Sequence, residues 1–193
     1  HETSTRFCTF HDDGRIQAFK LPQNIQIASF QAERNSVITA ATFSKDGNYF
    51  VVGYESGVIT LFDLNLKKPH RTFVNENFRV TSLFYDSPRQ FLFAASKDKT
   101  IYKWNLESVD SKPITFPLQD QVATIDVKDN WLIAGSADKL ITLIDIDENQ
   151  IEYIIKTHMA GLTCVQFAPY KDMFATASKD MFVKIWTFQK SQI

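Results

Sequence analysis

Three side chains near the end of the chain are the types that could carry out hydrolysis. In a hydrolytic triad, a histidine takes the proton of a serine hydroxyl and a carboxylate orients the histidine ring. His158, Ser178 and Asp180 supply those groups. However, no G-x-S-x-G motif surrounds the serine, which lies in an apolar stretch typical of a buried strand. We therefore predict a structural role for the three residues.

Composition and motifs also argue against an enzyme. The chain has 193 residues, of which 44% are hydrophobic and 22% charged, and its formal net charge is −1. These values are ordinary for a globular protein, and the low charge gives no general attraction to nucleic acid. The sequence lacks a phosphate-binding glycine loop, a zinc-type Cys/His cluster and a paired-carboxylate motif. We expect no enzymatic activity, no cofactor and no bound metal.

The two cysteines, Cys8 and Cys164, lie in apolar runs. This predicts two buried, reduced thiols in an intracellular protein of the cytoplasm or nucleus. The apolar runs are shorter than the roughly 18 residues that a membrane-spanning helix needs. The first residue is His1, so we expect the sequence to be a piece of a longer chain.

The segments that must position these side chains repeat along the chain. Five segments consist of a polar turn followed by an alternating apolar stretch, and they cover 11–20, 54–63, 96–105, 136–145 and 178–187. They end in Phe19, Phe62, Trp104, Ile144 and Trp186, at spacings of 43, 42, 40 and 42 residues. A spacing of about 40–45 residues is typical of the blades of a β-propeller.

Each repeat reads as four strands. The first strands are predicted at 38–43, 80–85, 122–127 and 162–167, and the more continuously apolar second strands at 49–52, 91–95, 131–134 and 174–177. The repeated segments give the third strands, and short edge strands follow at 25–30, 70–73, 112–116 and 151–155. The pattern predicts an all-β propeller of four-stranded antiparallel blades. Its expected units are about 1–31, 32–74, 75–117, 118–156 and 157–193.

The last unit resembles the WD-repeat (WD40) family. That family places a His before the first strand, a Ser or Thr on the second, an Asp in the next turn and a Trp on the third. His158, Ser178, Asp180 and Trp186 match this tetrad. The resemblance implies a structural relay in which the indole donates to Ser178, Ser178 to the imidazole, and the imidazole to the carboxylate.

Two other units match the tetrad in part and lack its histidine. Their matching residues are Ser96, Asp98 and Trp104 in one unit, and Ser136 and Asp138 in the other. The resemblance covers four to five blades, whereas propellers of this family usually have about seven. Three arrangements remain open: a piece of a longer propeller, which we favour, an open propeller completed by a partner's strands, or a five-bladed ring.

The resemblance implies a non-catalytic scaffold that binds other proteins or peptides within a multiprotein complex. In the family, ligands often contact the residue before each turn Asp and the residue that leads into each first strand. The corresponding candidates are Asp12, Glu55, Arg79, Lys97, Gln121 and Lys179. Their mixed charges suit a polar peptide.

Other functions within this family are less favoured. An RNA-associated propeller would use the basic cluster 67–71, but no aromatic stacking platform accompanies it. A phosphoinositide-binding propeller of membrane trafficking would carry an Arg-Arg pair, which does not occur. A ubiquitin-ligase receptor would carry an Arg where this chain has Asn65, Glu107, Asp147 and Gln189.

Overall fold

The polypeptide folds into β-strands joined by short turns. The computed structural model describes residues 6–11, 13–32, 36–74, 79–108, 112–156 and 158–187. Within these ranges the chain forms eighteen strands in five antiparallel sheets and contains no α-helix. Accordingly, none of these ranges includes a helix that could cross a membrane.

The strands follow the chain in groups of three or four. The first sheet contains β1 (Arg6–Phe10), β2 (Arg15–Lys20) and β3 (Ile25–Gln31). The second contains β4 (Ile38–Phe43), β5 (Tyr49–Tyr54), β6 (Val58–Asp63) and β7 (Lys68–Val74). The third contains β8 (Val80–Asp86), β9 (Phe91–Ser96), β10 (Thr100–Asn105) and β11 (Ile114–Pro117). The fourth contains β12 (Val122–Lys128), β13 (Trp131–Ser136), β14 (Leu140–Asp145) and β15 (Gln150–Lys156). The fifth contains β16 (Leu162–Phe167), β17 (Met173–Ser178) and β18 (Val183–Thr187).

Within each sheet, every strand pairs with its neighbour in sequence. Contacts between sheets are made largely by the first strands, because β4 contacts β8, β8 contacts β12 and β12 contacts β16. The first strands of successive sheets therefore lie next to one another, which is the arrangement of propeller blades. The fold is an all-β propeller, as the repeats predict.

The hydrophobic core consists of four clusters, each between two consecutive sheets. Successive side chains of a strand point to opposite faces of its sheet, so a strand of a central sheet packs on both neighbouring sheets. In β13, for example, Leu132 belongs to the cluster with the third sheet, whereas Ile133 belongs to the cluster with the fifth. This double burial explains why the second strands are continuously apolar in sequence.

The second strand of one sheet packs tightly on the first strand of the next. A Cβ atom added to Gly53 in β5 would lie 2.5 Å from Cγ1 of Val80 in β8. A Cβ atom on Gly135 in β13 would lie 2.9 Å from Cγ1 of Val165 in β16. Glycine at these positions permits the sheets to approach.

The outer face of the fifth sheet is not covered by another sheet in the described ranges. Val183 and Ile185 are 70% and 69% exposed on β18. Cys164 lies on β16 and is also exposed, so the prediction that both cysteines are buried is wrong for this residue. Cys8 is partly buried, and that burial raises the pKa of its thiol to about 12.

Two fourth strands begin two residues away from their predicted first residue. The strand expected at 70–73 begins at Lys68, so most of the basic cluster 67–71 lies in the edge strand β7. The strand expected at 112–116 begins only at Ile114, directly after Pro113, and extends to Pro117. A proline lacks the backbone N–H that a strand needs for pairing, which is consistent with the later start.

Candidate functional site

A buried relay of hydrogen bonds joins the three strands of the fifth sheet. Trp186 Nε1 in β18 donates to Thr176 Oγ1 in β17 at 3.0 Å. The same hydroxyl lies 2.8 Å from His158 Nε2, and His158 Nδ1 lies 2.9 Å from Asp180 Oδ2. Because the carboxylate can only accept, Nδ1–H donates to it. Nε2 of the neutral ring then accepts the O–H of Thr176, whose oxygen accepts the indole N–H.

The hydroxyl of the relay is therefore that of Thr176, which corrects the predicted role of Ser178. The Ser178 hydroxyl instead bonds the carbonyls of Ala160 and Gly161 at 2.8 and 3.1 Å, and accepts the backbone N–H of Asp180. The two residues are separated by two positions on one strand, so their side chains point to the same face of the sheet. Ser178 is the last residue of the strand, and its hydroxyl stabilises the following turn through the N–H of Asp180.

Asp180 connects the relay to two loops. Its carboxylate accepts the backbone N–H of Met159 at 2.9 Å and that of Phe182 at 3.0 Å. Desolvation raises the pKa of this carboxyl, but the two backbone hydrogen bonds and the interaction with His158 outweigh it. The net effect is a pKa well below the ordinary range of an aspartate.

The geometry of these groups is that of a structural staple and not of a catalytic triad. Thr176 and His158 are each 1% exposed, so a substrate has no access to the hydroxyl. The hydroxyl also holds the indole of Trp186, and a shift toward a substrate would break that bond. Within the described ranges, no group of three or more His, Cys, Asp or Glu side chains is arranged to hold a metal ion.

The partial tetrads contain the turn contacts of the last unit without its relay. Asp98 accepts the backbone N–H of Thr100, and Asp138 accepts that of Leu140. Ser96 accepts the N–H of Asp98, while Ser136 donates to the carbonyl of Leu140. The positions that correspond to Thr176 carry Ala94 and Ala134, which have no hydroxyl to bond a histidine.

A cleft of about 520 Å³ lies where the first strands of the sheets begin. Its lining includes four of the predicted partner-binding residues, Arg79, Lys97, Gln121 and Lys179. We call it the basic cleft, because its charged lining residues are Arg79, Lys97 and Lys179, with no carboxylate among the described lining residues.

One backbone contact recurs around this cleft and fixes its rim. Lys97 N donates to the carbonyl of Arg79 and Lys179 N to that of Gly161. Equivalent bonds join Ala137 to Gln121 and Glu55 to Val37. Each bond ties the turn after a second strand to the residue that leads into the first strand of the same sheet.

The charges of the basic cleft are only partly balanced. Arg79 Nη1 pairs with Glu55 Oε1 at 2.5 Å, and both side chains are partly exposed. Within the described residues, Lys97 and Lys179 form no salt bridge and both are exposed. The cleft therefore presents two free ammonium groups. Asp12, the remaining predicted member of this face, lies outside the described residues.

Threonines that the sequence analysis did not single out form the inner wall of the cleft. Thr39, Thr81 and Thr163 each lie two residues after the residue that leads into a first strand. Thr81 Oγ1 donates to the carbonyl of Val122 in the next sheet at 2.6 Å. Their recurrence at one position of the repeat is the signal that marks them.

A second cleft, of about 730 Å³, lies at the opposite ends of the first strands. Two of its three cations already have partners. Arg89 pairs with Asp86 at 3.0 Å, and Lys128 Nζ donates to the carbonyl of Lys171 at 2.6 Å. Among its described lining residues, the second cleft thus has one cation without a salt bridge, Lys45, whereas the basic cleft has two.

Comparison with known proteins agrees with this architecture. The profile of the WD domain, G-beta repeat, matches residues 24–63, 67–105 and 149–187, which is more than half of the chain. The chain belongs to the WD40 repeat family. Each matched stretch ends at the third strand of a sheet, so the profile has the same repeat period as the structure.

Curated WD40 relatives are distant and much longer than this chain. DmX-like protein 1 of Mus musculus is 24% identical over 97% of the chain, which spans 7% of that protein. Pre-mRNA-processing factor 19 of Mus musculus is 24% identical over 75% of the chain, which spans 30% of that protein. These relatives agree with the assignment of the chain to the WD40 repeat family.

The fold is also similar to that of a chain in the crystal structure of the Mitotic Checkpoint Complex. The TM-score is 0.85 with 16% sequence identity, and the match covers 96% of this chain and 58% of the other. At this identity the similarity shows a shared WD40 propeller fold.

Proposed function

We propose that this WD40 chain is a non-catalytic scaffold that binds a segment of another protein in its basic cleft. The observation that carries the proposal is the position of Arg79, Lys97, Gln121 and Lys179 around one cavity. These residues come from three different sheets, and the rigid sheets hold them in place.

The chemistry of the cleft favours an acidic partner. Lys97 and Lys179 form no salt bridge with the described residues, so an incoming carboxylate gains a partner without breaking one. Gln121 and the threonines of the inner wall add neutral hydrogen-bonding groups for a peptide backbone. Arg79 and Glu55 already balance each other and would orient the segment at the edge of the cleft.

The proposal places the protein in an intracellular assembly. DmX-like protein 1 and pre-mRNA-processing factor 19 are both far longer than the part that this chain matches. A propeller that occupies one part of a long protein is suited to bring a partner to the other parts. Cytoplasm or nucleus is the compartment that we propose, on the basis of two unpaired cysteines.

The proposal is tested by reversing the two free charges of the basic cleft. The double variant Lys97→Glu/Lys179→Glu is compared with the full-length wild type by quantitative affinity purification from its own cells. We expect at least one associated protein to fall by about tenfold or more, which corresponds to about 1.4 kcal/mol of binding free energy. Unchanged recovery of every associated protein would contradict the proposal.

A matched control separates this cleft from a general effect of charge. Lys45→Glu/Lys171→Glu makes the same change in charge at the opposite end of the sheets, where both residues are exposed. The control should retain the partners, and both double variants should unfold at the same urea concentration as the wild type.

A further inference from the structure

Two methionines stand exposed beside the basic cleft. Met159 is 81% exposed and precedes the first strand of the fifth sheet, while Met181 is 96% exposed in the turn between β17 and β18. Asp180 brings them together, because its carboxylate accepts the backbone N–H of Met159 and Met181 is the next residue. Lys179, which lines the basic cleft, immediately precedes Asp180. Two exposed apolar residues thus lie in neighbouring loops, next in the chain to a lysine that forms no salt bridge with the described residues.

The exposure of the pair does not result from the uncovered face of the fifth sheet. The position of Met159 corresponds to Gln119, and that of Met181 to Lys99, in sheets with a neighbour on both sides. Gln119 and Lys99 are nevertheless exposed. By contrast, the position of Phe182 corresponds to Thr100, which is partly buried, so the exposure of Phe182 follows from the uncovered face of the fifth sheet.

Methionine is also an unusual choice for the turn. The corresponding residues of the five sheets all have a left-handed backbone, with φ of +81° and +87° at Gly14 and Gly57, +72° and +75° at Lys99 and Lys139, and +69° at Met181. Glycine relieves this conformation and lysine keeps the turn soluble. A methionine neither relieves the left-handed backbone nor carries a charge, and an exposed thioether buries no apolar surface when the chain folds.

We propose that the methionine pair anchors an apolar side chain of the segment that the basic cleft binds. This inference rests on the proposed function and specifies its ligand as an acidic protein segment that also carries a large apolar residue. Charge complementarity favours the carboxylates, since neither Lys97 nor Lys179 forms a salt bridge with any residue that the structure describes. Flexible methionine side chains adapt to aromatic or long aliphatic groups and recur on peptide-binding surfaces.

The experiment selects ligands from a random-peptide phage library on the wild-type protein. We expect the selected peptides to combine Asp or Glu with a neighbouring Phe, Trp, Tyr or Leu. The test variant is Met159→Gln/Met181→Asn, which removes both apolar side chains without changing the charge beside the cleft. Glutamine stands at the corresponding position 119, and asparagine tolerates a left-handed backbone, as at Asn24 and Asn149. Fluorescence anisotropy of the selected peptides should show affinity reduced by about tenfold or more.

Two controls identify the role of the side chains. Met159→Leu/Met181→Leu retains an apolar pair and should retain binding to within about threefold. Tyr170→Ser removes a residue that is equally exposed, at 96%, but lies at the other end of the sheets. It should leave the affinity unchanged.

The outcomes separate this inference from the proposed function. Peptides that lose affinity with Lys97→Glu/Lys179→Glu but bind Met159→Gln/Met181→Asn normally would overturn the role of the pair and leave the basic cleft as a docking site. Peptides that bind through the methionines but carry no acidic residue would overturn the combined ligand. Failure to select any peptide sensitive to either double variant would contradict both.

Discussion

The indole nitrogen of Trp186 lies 3.0 Å from the hydroxyl of Thr176, which in turn lies 2.8 Å from His158. A single hydroxyl thus links the third strand, the second strand and the loop that precedes the first. Asp180 completes the relay and holds the loop through the N–H of Met159. The same network therefore fixes the backbone that presents Lys179 and the methionine pair.

Replacement of Thr176 by valine should destabilise the protein by about 1–3 kcal/mol. Valine has nearly the same shape, so the main loss is the hydroxyl, which leaves the Trp186 indole and His158 Nε2 without their buried partner. Urea unfolding measures the change. Ser178→Ala is the comparison, and its effect should be smaller because its hydroxyl bonds carbonyls in a more exposed turn. A larger effect at Ser178 than at Thr176 would contradict the relay.

Acid should weaken the contribution of Asp180. Its pKa in the folded protein lies below that of an unfolded aspartate, which is about 3.9, so the carboxylate stabilises the fold fully above that pH. The stabilisation is lost as the pH falls toward the folded pKa. The difference in unfolding free energy between wild type and Asp180→Asn should therefore narrow below about pH 4. A difference that stays constant down to about pH 2 would refute this assignment.

Lys103 should be a stabilising contact between the third and fourth sheets. The side chain is 5% exposed, and its Nζ donates to the Ile146 carbonyl at 2.5 Å and to Asn149 Oδ1 at 2.8 Å. The ammonium also lies 4.1 Å from the ring centroid of Phe91. Desolvation lowers the pKa of Lys103, but the hydrogen bonds offset the cost of burial.

Lys103→Met should accordingly cost about 1–3 kcal/mol, because a buried carbonyl loses its donor. Thermal or urea unfolding measures this, and Lys68→Met in an exposed strand position serves as the control. A more stable Lys103→Met protein would show that the burial of the charge outweighs its contacts.

Gly53→Ala should destabilise the contact between the second and third sheets by about 1–3 kcal/mol. The added Cβ would lie 2.5 Å from Cγ1 and 2.9 Å from Cβ of Val80. Val80→Ala removes the closest of these atoms, so the double variant should be more stable than the sum of the single effects predicts. Strict additivity in urea unfolding would indicate that the sheets separate without strain.

The repeat period and strand order are predictable from the sequence because the blades reuse one pattern. Along a strand of a central sheet, side chains point alternately to the two neighbouring sheets, as Leu132 and Ile133 illustrate, so apolar runs and turns recur together. Exposure of Cys164 was not predictable, since an apolar run does not reveal whether a sheet covers its outer face.

The relay hydroxyl was missed for a different reason. Positions 176 and 178 share a face of β17, so the two-residue period of a strand cannot distinguish them. Comparison of the repeats would have done so. Serine recurs at the strand end in the units of Ser96 and Ser136, which have no histidine and carry Ala94 and Ala134 two residues earlier. In the unit that contains His158, that earlier position is Thr176.

The claim that the basic cleft is the docking site is tested most directly by hydrogen–deuterium exchange with a bound peptide from the phage selection. Protection should concentrate at the start of the first strands, at 79–81, 121–123 and 161–163, and in the turns at 97 and 179. Protection at the opposite ends of those strands, at 84–89 and 126–129, with none around the basic cleft would contradict the claim.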